Sequence, residues 1–441
     1  MATALSTAKP RAGFAIGASC PGCGGEVELG SDFFVTECHH CGSALRLILP
    51  SAPPAYFAKP RCTPSQARAA LDRRLKESGK PLTTSSWSCE QVLYPYWKLD
   101  LLTVKVRTVI EELPQYLEPA ETTEAEPRTT SRRTVAITPS TITVAAGPKH
   151  PAIPVSIGLR ADYIKLYPFS VGNHPEDFTA LPVELDGDSA LTRAKSSTRT
   201  LNAIAESAPG GQPQTNLVGL RASVCYLPYV VFSANGISSA VDALSGRVVS
   251  ESVPSEQHLE FQRSLPLGEI GLEMHRCTTC GTDLSHQPSL VYFCRNCGRN
   301  VLLSDAQGAR ILCAPHTEVD LLVPFWRIGE SVIPAFRISN AEAMYRLARR
   351  VSGGVHKLVF DSAIESFSNI SPVTLSQREA AIVSAIVDYR LKLDRNPRAT
   401  FQLTGELPES RELLLIPFRA QEYFWVDSIL SAISFERALL K

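Results

Sequence analysis

Four times this 441-residue chain writes Cys-x-x-Cys-Gly, at residues 20–24, 38–42, 277–281 and 294–298. The pairs fall into two sets, with 14 residues between Cys23 and Cys38 and 13 between Cys280 and Cys294. Two residues between cysteines let a tight turn aim both sulfurs at one point. The following Gly permits the positive φ that closes such a turn. Residues 26–29 and 33–36 in the first set, and 290–293 in the second, read as short strands. A hairpin then returns the far pair to the near one. Four soft sulfurs converging on a point suit a tetrahedral metal ion, with Zn–S distances of about 2.3 Å. The expectation is two zinc ions per chain: one on Cys20, Cys23, Cys38 and Cys41, the other on Cys277, Cys280, Cys294 and Cys297. Each hairpin is too small to fold on its own core. Metal binding, on the order of 10–16 kcal/mol at structural sites, would supply most of its stability.

These knuckles resemble those of the zinc-ribbon superfamily, which are rubredoxin-like. The likeness covers only the segment between first and last cysteine at each site. It implies a structural metal held by four thiolates and nothing catalytic. As a whole the chain resembles uncharacterised bacterial double-zinc-ribbon proteins, a likeness that implies no activity. Iron is the alternative metal, but rubredoxin separates its pairs much further. His39 and His40 read as exposed knuckle residues. His275 and His286 flank ligands but need not bind metal.

Of 12 cysteines, Cys62, Cys89, Cys225 and Cys313 lie outside the pairs and read as small core residues. Paired cysteines in a long chain mean metal more often than disulfides, which points to a reducing cytoplasm. No run of 18 apolar residues offers a membrane span, and residues 13–18 are too short and Gly-rich for a secretory segment. Lys plus Arg is 44 and Asp plus Glu is 44, so the formal charge is zero. Nucleic-acid binders draw most of their affinity from a basic excess. The first ribbon has Glu26, Glu28, Asp32 and Glu37 between its outer cysteines and no Lys or Arg, so it should repel phosphate. The basic stretches lie elsewhere, at 61–80 and 342–357.

The fold expected is α+β and multi-domain: a ribbon over 1–50, an α+β domain over 51–270 with an inserted loop at 117–134, a second ribbon over 271–304, and a C-terminal α+β domain over 305–441. A flexible link is expected at 208–216. Helices are expected at 64–78, with Thr63 as cap and Pro64 in the first turn, and at 189–206. Others are expected at 341–352, capped by Asn340 and stopped by Gly353 and Gly354, at 376–394 behind a capping box of Ser376 and Glu379, and near 427–440. A Pro-aromatic pattern recurs at Pro95-Tyr96-Trp97 and Pro324-Phe325-Trp326, and more weakly at Pro228-Tyr229 and Pro417-Phe418. The last two each lead to a strand ending in Val-Asp, at Asp242 and Asp427. This reads as a degenerate internal repeat of strands, with Trp97 and Trp326 buried at matching places.

No Walker motif, His-Glu-x-x-His, Gly-x-Ser-x-Gly or helix-opening GxGxxG is present. The function expected is a non-catalytic, zinc-stabilised scaffold or adaptor that binds other proteins. A nucleic-acid-associated protein using the helices in 61–80 and 342–357 comes second, and a rubredoxin-like electron carrier third.

Overall fold

The computed structural model describes every residue except 1–14, 31–34, 49, 51, 80–86, 113–128, 158–163, 171, 207–213, 255–263, 304–305, 316–318, 339–340, 362–368, 397–411 and 441. The fold is mixed α+β with several sheets. Two compact units emerge, one of Met1–Asp100, Thr141–Ala194 and Arg221–Pro288, the other of Leu101–Ser140, Lys195–Leu220 and Ser289–Lys441.

The chain opens with β1 (Ala15–Ser19), β2 (Glu26–Gly30), β3 (Val35–Glu37), β4 (Ala44–Ile48) and β5 (Ala55–Ala58), then α1 (Pro64–Glu77). It continues with β6 (Ser88–Glu112), β7 (Thr129–Ala145), β8 (Lys165–Pro168), β9 (Thr179–Ala180), α2 (Gly187–Glu206), β10 (Gln214–Ala234), β11 (Ile237–Asp242), β12 (Val248–Pro254) and β13 (Gly271–Met274). The large sheet runs β12-β11-β10-β5-β8-β1-β2, with β6 paired to β10, β7 and β9. The first ribbon is therefore split. Its β1–β2 hairpin extends the large sheet, while β3 and β4 form a separate small sheet with β13. Cys20, Val27, Cys38 and Leu45 share one core with Tyr94, Tyr96, Leu227, Tyr229 and Val231. The ribbon does not stand alone on its metal, as its size suggested; it is built into a hydrophobic core.

The remaining elements are β14 (Val291–Phe293), β15 (Asn300–Leu302), β16 (Arg310–Cys313), β17 (Leu321–Ile328), β18 (Ser331–Pro334), α3 (Ala341–Val355), α4 (Gln377–Arg395), β19 (Glu412–Gln421), β20 (Phe424–Asp427) and β21 (Ser434–Glu436). A sheet ordered β18-β17-β19-β20-β21, with β16 on β19, carries a core of Val323, Phe325, Leu347, Val351, Leu414, Ile416, Phe418 and Phe435.

The internal repeat goes down to single hydrogen bonds. Trp97 and Trp326 are 1% and 0% exposed. Each indole N–H donates to the carbonyl of a Leu, Leu185 at 2.6 Å and Leu375 at 2.8 Å. The Pro95 carbonyl accepts from the Ala146 amide, as that of Pro324 accepts from Ala335. The Ala146 carbonyl then takes the amides of Glu184 and Leu185, and that of Ala335 takes those of Thr374 and Leu375. Leu93 accepts from Leu181 and Leu322 from Ser371. The Ala243 amide donates to Pro228 and the Ser428 amide to Pro417.

Helix α1 starts from the expected cap, Thr63, which also forms a capping box with Gln66, and Gly79 follows the helix at φ +66°. Helix α4 has its box of Ser376 and Glu379. Several expectations change. Helix α3 passes through Gly353 and Gly354 to Val355, because Gly354 lies against Ile433 and Val355 is buried in the core, so packing overrides the weak helix propensity of Gly. Asn340 lies outside the described residues. Residues 427–440 are not a helix. They form a turn, β21 and a short 3-10 turn over Arg437–Leu440, with Phe435 packed on Phe418 at 5.1 Å. Of the loop expected at 117–134, residues up to 128 lie outside the described set and the rest belong to β7. Of the link expected at 208–216, Gln214 onward belongs to β10.

Candidate metal centres

All four knuckles have one backbone construction. In each, the first Cys amide donates to the carbonyl five residues on: Cys20 to Gly25, Cys38 to Ser43, Cys277 to Thr282 and Cys294 to Arg299, at 2.8–2.9 Å. The Gly amide donates back to the first Cys carbonyl, again at 2.8–2.9 Å. Closing both bonds requires positive φ at the Gly, and Gly24, Gly42, Gly281 and Gly298 have φ of 74°, 71°, 74° and 70°. A side chain there would strain the turn. The first cysteine of each pair is buried: Cys20, Cys38, Cys277 and Cys294 are 0–3% exposed. The second of each pair sits nearer the surface.

The eight cysteines gather into the two expected groups. Within each, the four Sγ atoms lie within 4.8 Å of one another. In the first group Cys20 and Cys41 are 3.8 Å apart and Cys23 and Cys38 are 3.7 Å apart. A tetrahedron with metal–sulfur bonds of about 2.3 Å has sulfur–sulfur edges of about 3.8 Å. In the first group the sulfurs thus stand at the spacing a tetrahedral thiophilic ion needs, and each group offers four protein sulfurs, enough to fill such an ion's coordination shell. The Gly22 amide also points at Cys20 Sγ, at 3.4 Å.

Two supporting residues escaped the sequence reading. The Ser43 hydroxyl is 3.3 Å from Cys41 Sγ, and the Thr282 hydroxyl is 3.3 Å from Cys280 Sγ. Both stand two residues after the outer cysteine, so a hydroxyl at that place in the motif was the available signal. Hydrogen bonding to Ser43, first through its side chain, pulls the Cys41 thiol down to about 6. That favours a thiolate at Cys41, whereas the Cys23 thiol of the same group is pushed up to about 12.

The histidines stay out of both groups. His39 and His40 are exposed, and the His40 ring occupies the space a side chain at Gly25 would need. His275 is fully buried, and burial, with Arg46 adding to it, pushes its pKa down to about 4. His286 is exposed and lies 3.9 Å from Glu37. Among the other cysteines, Cys225 and Cys313 are core residues as expected, Cys62 is half-buried, and Cys89 is exposed because it lies at the start of β6.

The acidity of the first ribbon is offset from afar. Lys165 on β8 pairs with Glu28 and reaches Glu26 at 3.1 Å, because β8 lies parallel to β1. The basic helices are also tied down. Arg68 pairs with Asp72 at 3.0 Å and Arg74 with Glu251 at 2.5 Å. In α3, Arg346 lies 3.7 Å from Glu342, and Arg350 donates to the Ser434 carbonyl.

No known protein family matches the chain, and neither a curated protein nor a solved structure matches it. No helix among the described residues is long and apolar enough to cross a membrane.

Proposed function

We propose that the chain is a zinc-stabilised scaffold or adaptor that binds other proteins in a reducing cytoplasm and catalyses no reaction. The observation that carries this reading is the pair of closed four-cysteine groups. A structural zinc site takes four protein ligands, whereas a catalytic one keeps a position open for water or substrate. The ribbon-like spacing between pairs favours zinc over the iron of an electron carrier. The ion pairs of Arg68, Arg74 and Arg346 favour a protein partner over nucleic acid, because paired guanidinium groups gain less from phosphate.

Elemental mass spectrometry on purified chain tests the metal, with two zinc and little iron per chain expected. A ratio near one, or a red iron protein, would sink the reading. Generic DNA or RNA should bind no tighter than about 10⁻⁴–10⁻⁶ M at physiological salt. A nanomolar constant with a steep salt slope would promote the helices in 61–80 and 342–357 to a nucleic-acid surface. Affinity capture from the native host with mass spectrometry then identifies the partner.

A further inference from the structure

We propose that the two metal centres are thermodynamically coupled through β13, so that filling one raises the affinity of the other. This rests on the two-metal reading above. The first centre orders the Cys38–Cys41 knuckle, where the Cys38 amide donates to the Ser43 carbonyl. Strand β4 begins at the next residue, Ala44. It pairs with β3 on one side and β13 on the other. The register is Leu45 to Met274, Arg46 to Glu273, Leu47 to Leu272 and Ile48 to Gly271. Among the described residues, β4 is the only sheet partner of β13.

Strand β13 runs straight into the second centre. The amide of His275 donates to the Ala44 carbonyl at 2.7 Å, which continues the ladder one step beyond the strand. The His275 carbonyl accepts from Leu284 at 3.0 Å, and Arg276 pairs with Asp283 at 2.8 Å. Those two contacts close the base of the Cys277–Cys280 knuckle, whose first ligand comes two residues after His275. Side chains join the same two sites. Arg46 pairs with Glu273 across the strands. The Met274 sulfur lies 3.7 Å from where a side chain at Gly22 would begin, inside the first knuckle. His275 is wholly buried at the junction.

An empty first centre leaves the Cys38–Cys41 end of β4 without its metal tie. Leu45 still holds β4 in the core, but β13 then pairs with a template frayed at its Ala44 end, and the Cys277 knuckle must be ordered partly at the cost of the second metal's binding energy. Coupling of binding free energies is reciprocal, so each metal must shift the other's affinity by one and the same factor. Such couplings run from about 5-fold to about 150-fold. A short, partly buried two-strand connection places this one on the order of tenfold.

The test uses the full chain stripped of metal. It is titrated with Co(II), read by its thiolate charge-transfer bands, and then with Zn(II) against a chromophoric chelator. Cys38→Ser removes the first centre and Cys294→Ser the second. The expected result is that the surviving centre binds about tenfold more weakly in each variant than in the intact chain, by equal factors. Glu273→Pro keeps all eight ligands but removes the ion pair and a strand amide, and Pro is poorly tolerated within a sheet. In that variant the two constants should become independent. Two metals bound with constants that do not change by more than twofold in either Cys variant would overturn the coupling and leave the two-metal reading standing. Coupling that persists in Glu273→Pro would overturn the role of β13. Failure of the intact chain to bind any metal would overturn both.

Discussion

The strands carrying Trp97 and Trp326 are held by the same backbone bonds yet covered by different things. In the first sheet, the face of Tyr94 and Tyr96 packs against ribbon residues Cys20, Val27, Cys38 and Leu45. In the second, the corresponding face of Val323 and Phe325 packs against Leu347 and Val351 of α3. The first sheet also has α1 on β11 and β12. In the second, residues 314–320 join β16 to β17, too few for a comparable helix. Side chains follow that loss. Counting from the matching Pro228 and Pro417, Val230 and Phe232 are buried, while Arg419 and Gln421 at the same places are exposed. The backbone network is the invariant part of the repeat, and the layer over it is exchangeable. An exchange succeeds when the residues under a lost layer turn polar, since an uncovered apolar face would cost about 25 cal/mol per Å².

The largest effect should come from the tryptophans, which test whether the two networks are equivalent. Trp97→Ala and Trp326→Ala each remove a fully buried indole and orphan a carbonyl, at Leu185 or Leu375. Truncating a core Trp costs about 3–5 kcal/mol. Both variants should unfold at markedly lower denaturant concentration, with two metals still bound by elemental analysis before unfolding. A large loss in one and a small loss in the other would break the equivalence.

The sequence disclosed what is local. The four knuckles were legible because ligand spacing and the positive-φ Gly lie within five residues. Helices α1 and α4 were legible because their start signals are local, Thr63 beside Pro64 in the one and Ser376 three residues before Glu379 in the other. The repeat was visible at Trp97 and Trp326 but not in extent, because Leu185 and Leu375 lie 88 and 49 residues downstream of them. Long-range pairing left no local mark. Nothing near Arg46 announces Glu273, and nothing near Glu26 announces Lys165. The mistaken helix at 427–440 has the same origin. Its apolar residues have a helix-like spacing, but Phe435 is claimed by Phe418 on a distant strand. The supporting hydroxyls of Ser43 and Thr282 were local and were missed because Ser and Thr are common in turns.

A middle-sized effect should separate the two Val-Asp turns. Asp427 is 1% exposed, and its carboxylate accepts the amides of Leu430 at 2.6 Å, Ser431 at 3.1 Å and Ile433 at 2.6 Å. Asp242, 9% exposed, accepts the Leu244 amide at 2.9 Å and the Ser245 hydroxyl at 2.5 Å. A buried donor left without its partner costs about 1–3 kcal/mol. Asp427→Ala should fall at or above the top of that range and Asp242→Ala, at the less deeply buried carboxylate, should shift less, read from denaturant midpoints. Equal midpoint shifts would mean that the two carboxylates hold their turns equally firmly despite the deeper burial of Asp427.

The smallest effect distinguishes the helix starts that follow the tryptophan acceptors, and it differs in kind as well as size. Ser376 is 3% exposed, accepts the Glu379 amide at 3.2 Å and sits beside a Glu379 paired with Arg337 at 2.9 Å. Losing such a cap typically costs about 1 kcal/mol, and a hydroxyl does not titrate in the working range. Asp186, at the matching place, is exposed and accepts both the amide and the hydroxyl of Ser189 at 2.8 Å. The Ser189 amide bond is the main cause that holds its carboxyl below the ordinary carboxylate value. A carboxyl depressed in the folded state contributes stability that is complete above the unfolded value of about 3.9. That contribution is lost as pH falls through the lower folded value. Asp186→Ala should therefore loosen the first turn of α2 at neutral pH and make little difference in acid, whereas Ser376→Ala should loosen α4 equally at both. Hydrogen exchange of the Ser189 and Glu379 amides, each variant against the parent chain at the same pH, gives the answer with any acid loss of metal common to both. An Asp186 effect that persists unchanged at a pH where its folded carboxyl is shown to be protonated would mean that the side chain caps α2 as a neutral acid, and the two helix starts would then be alike in chemistry as well as in place.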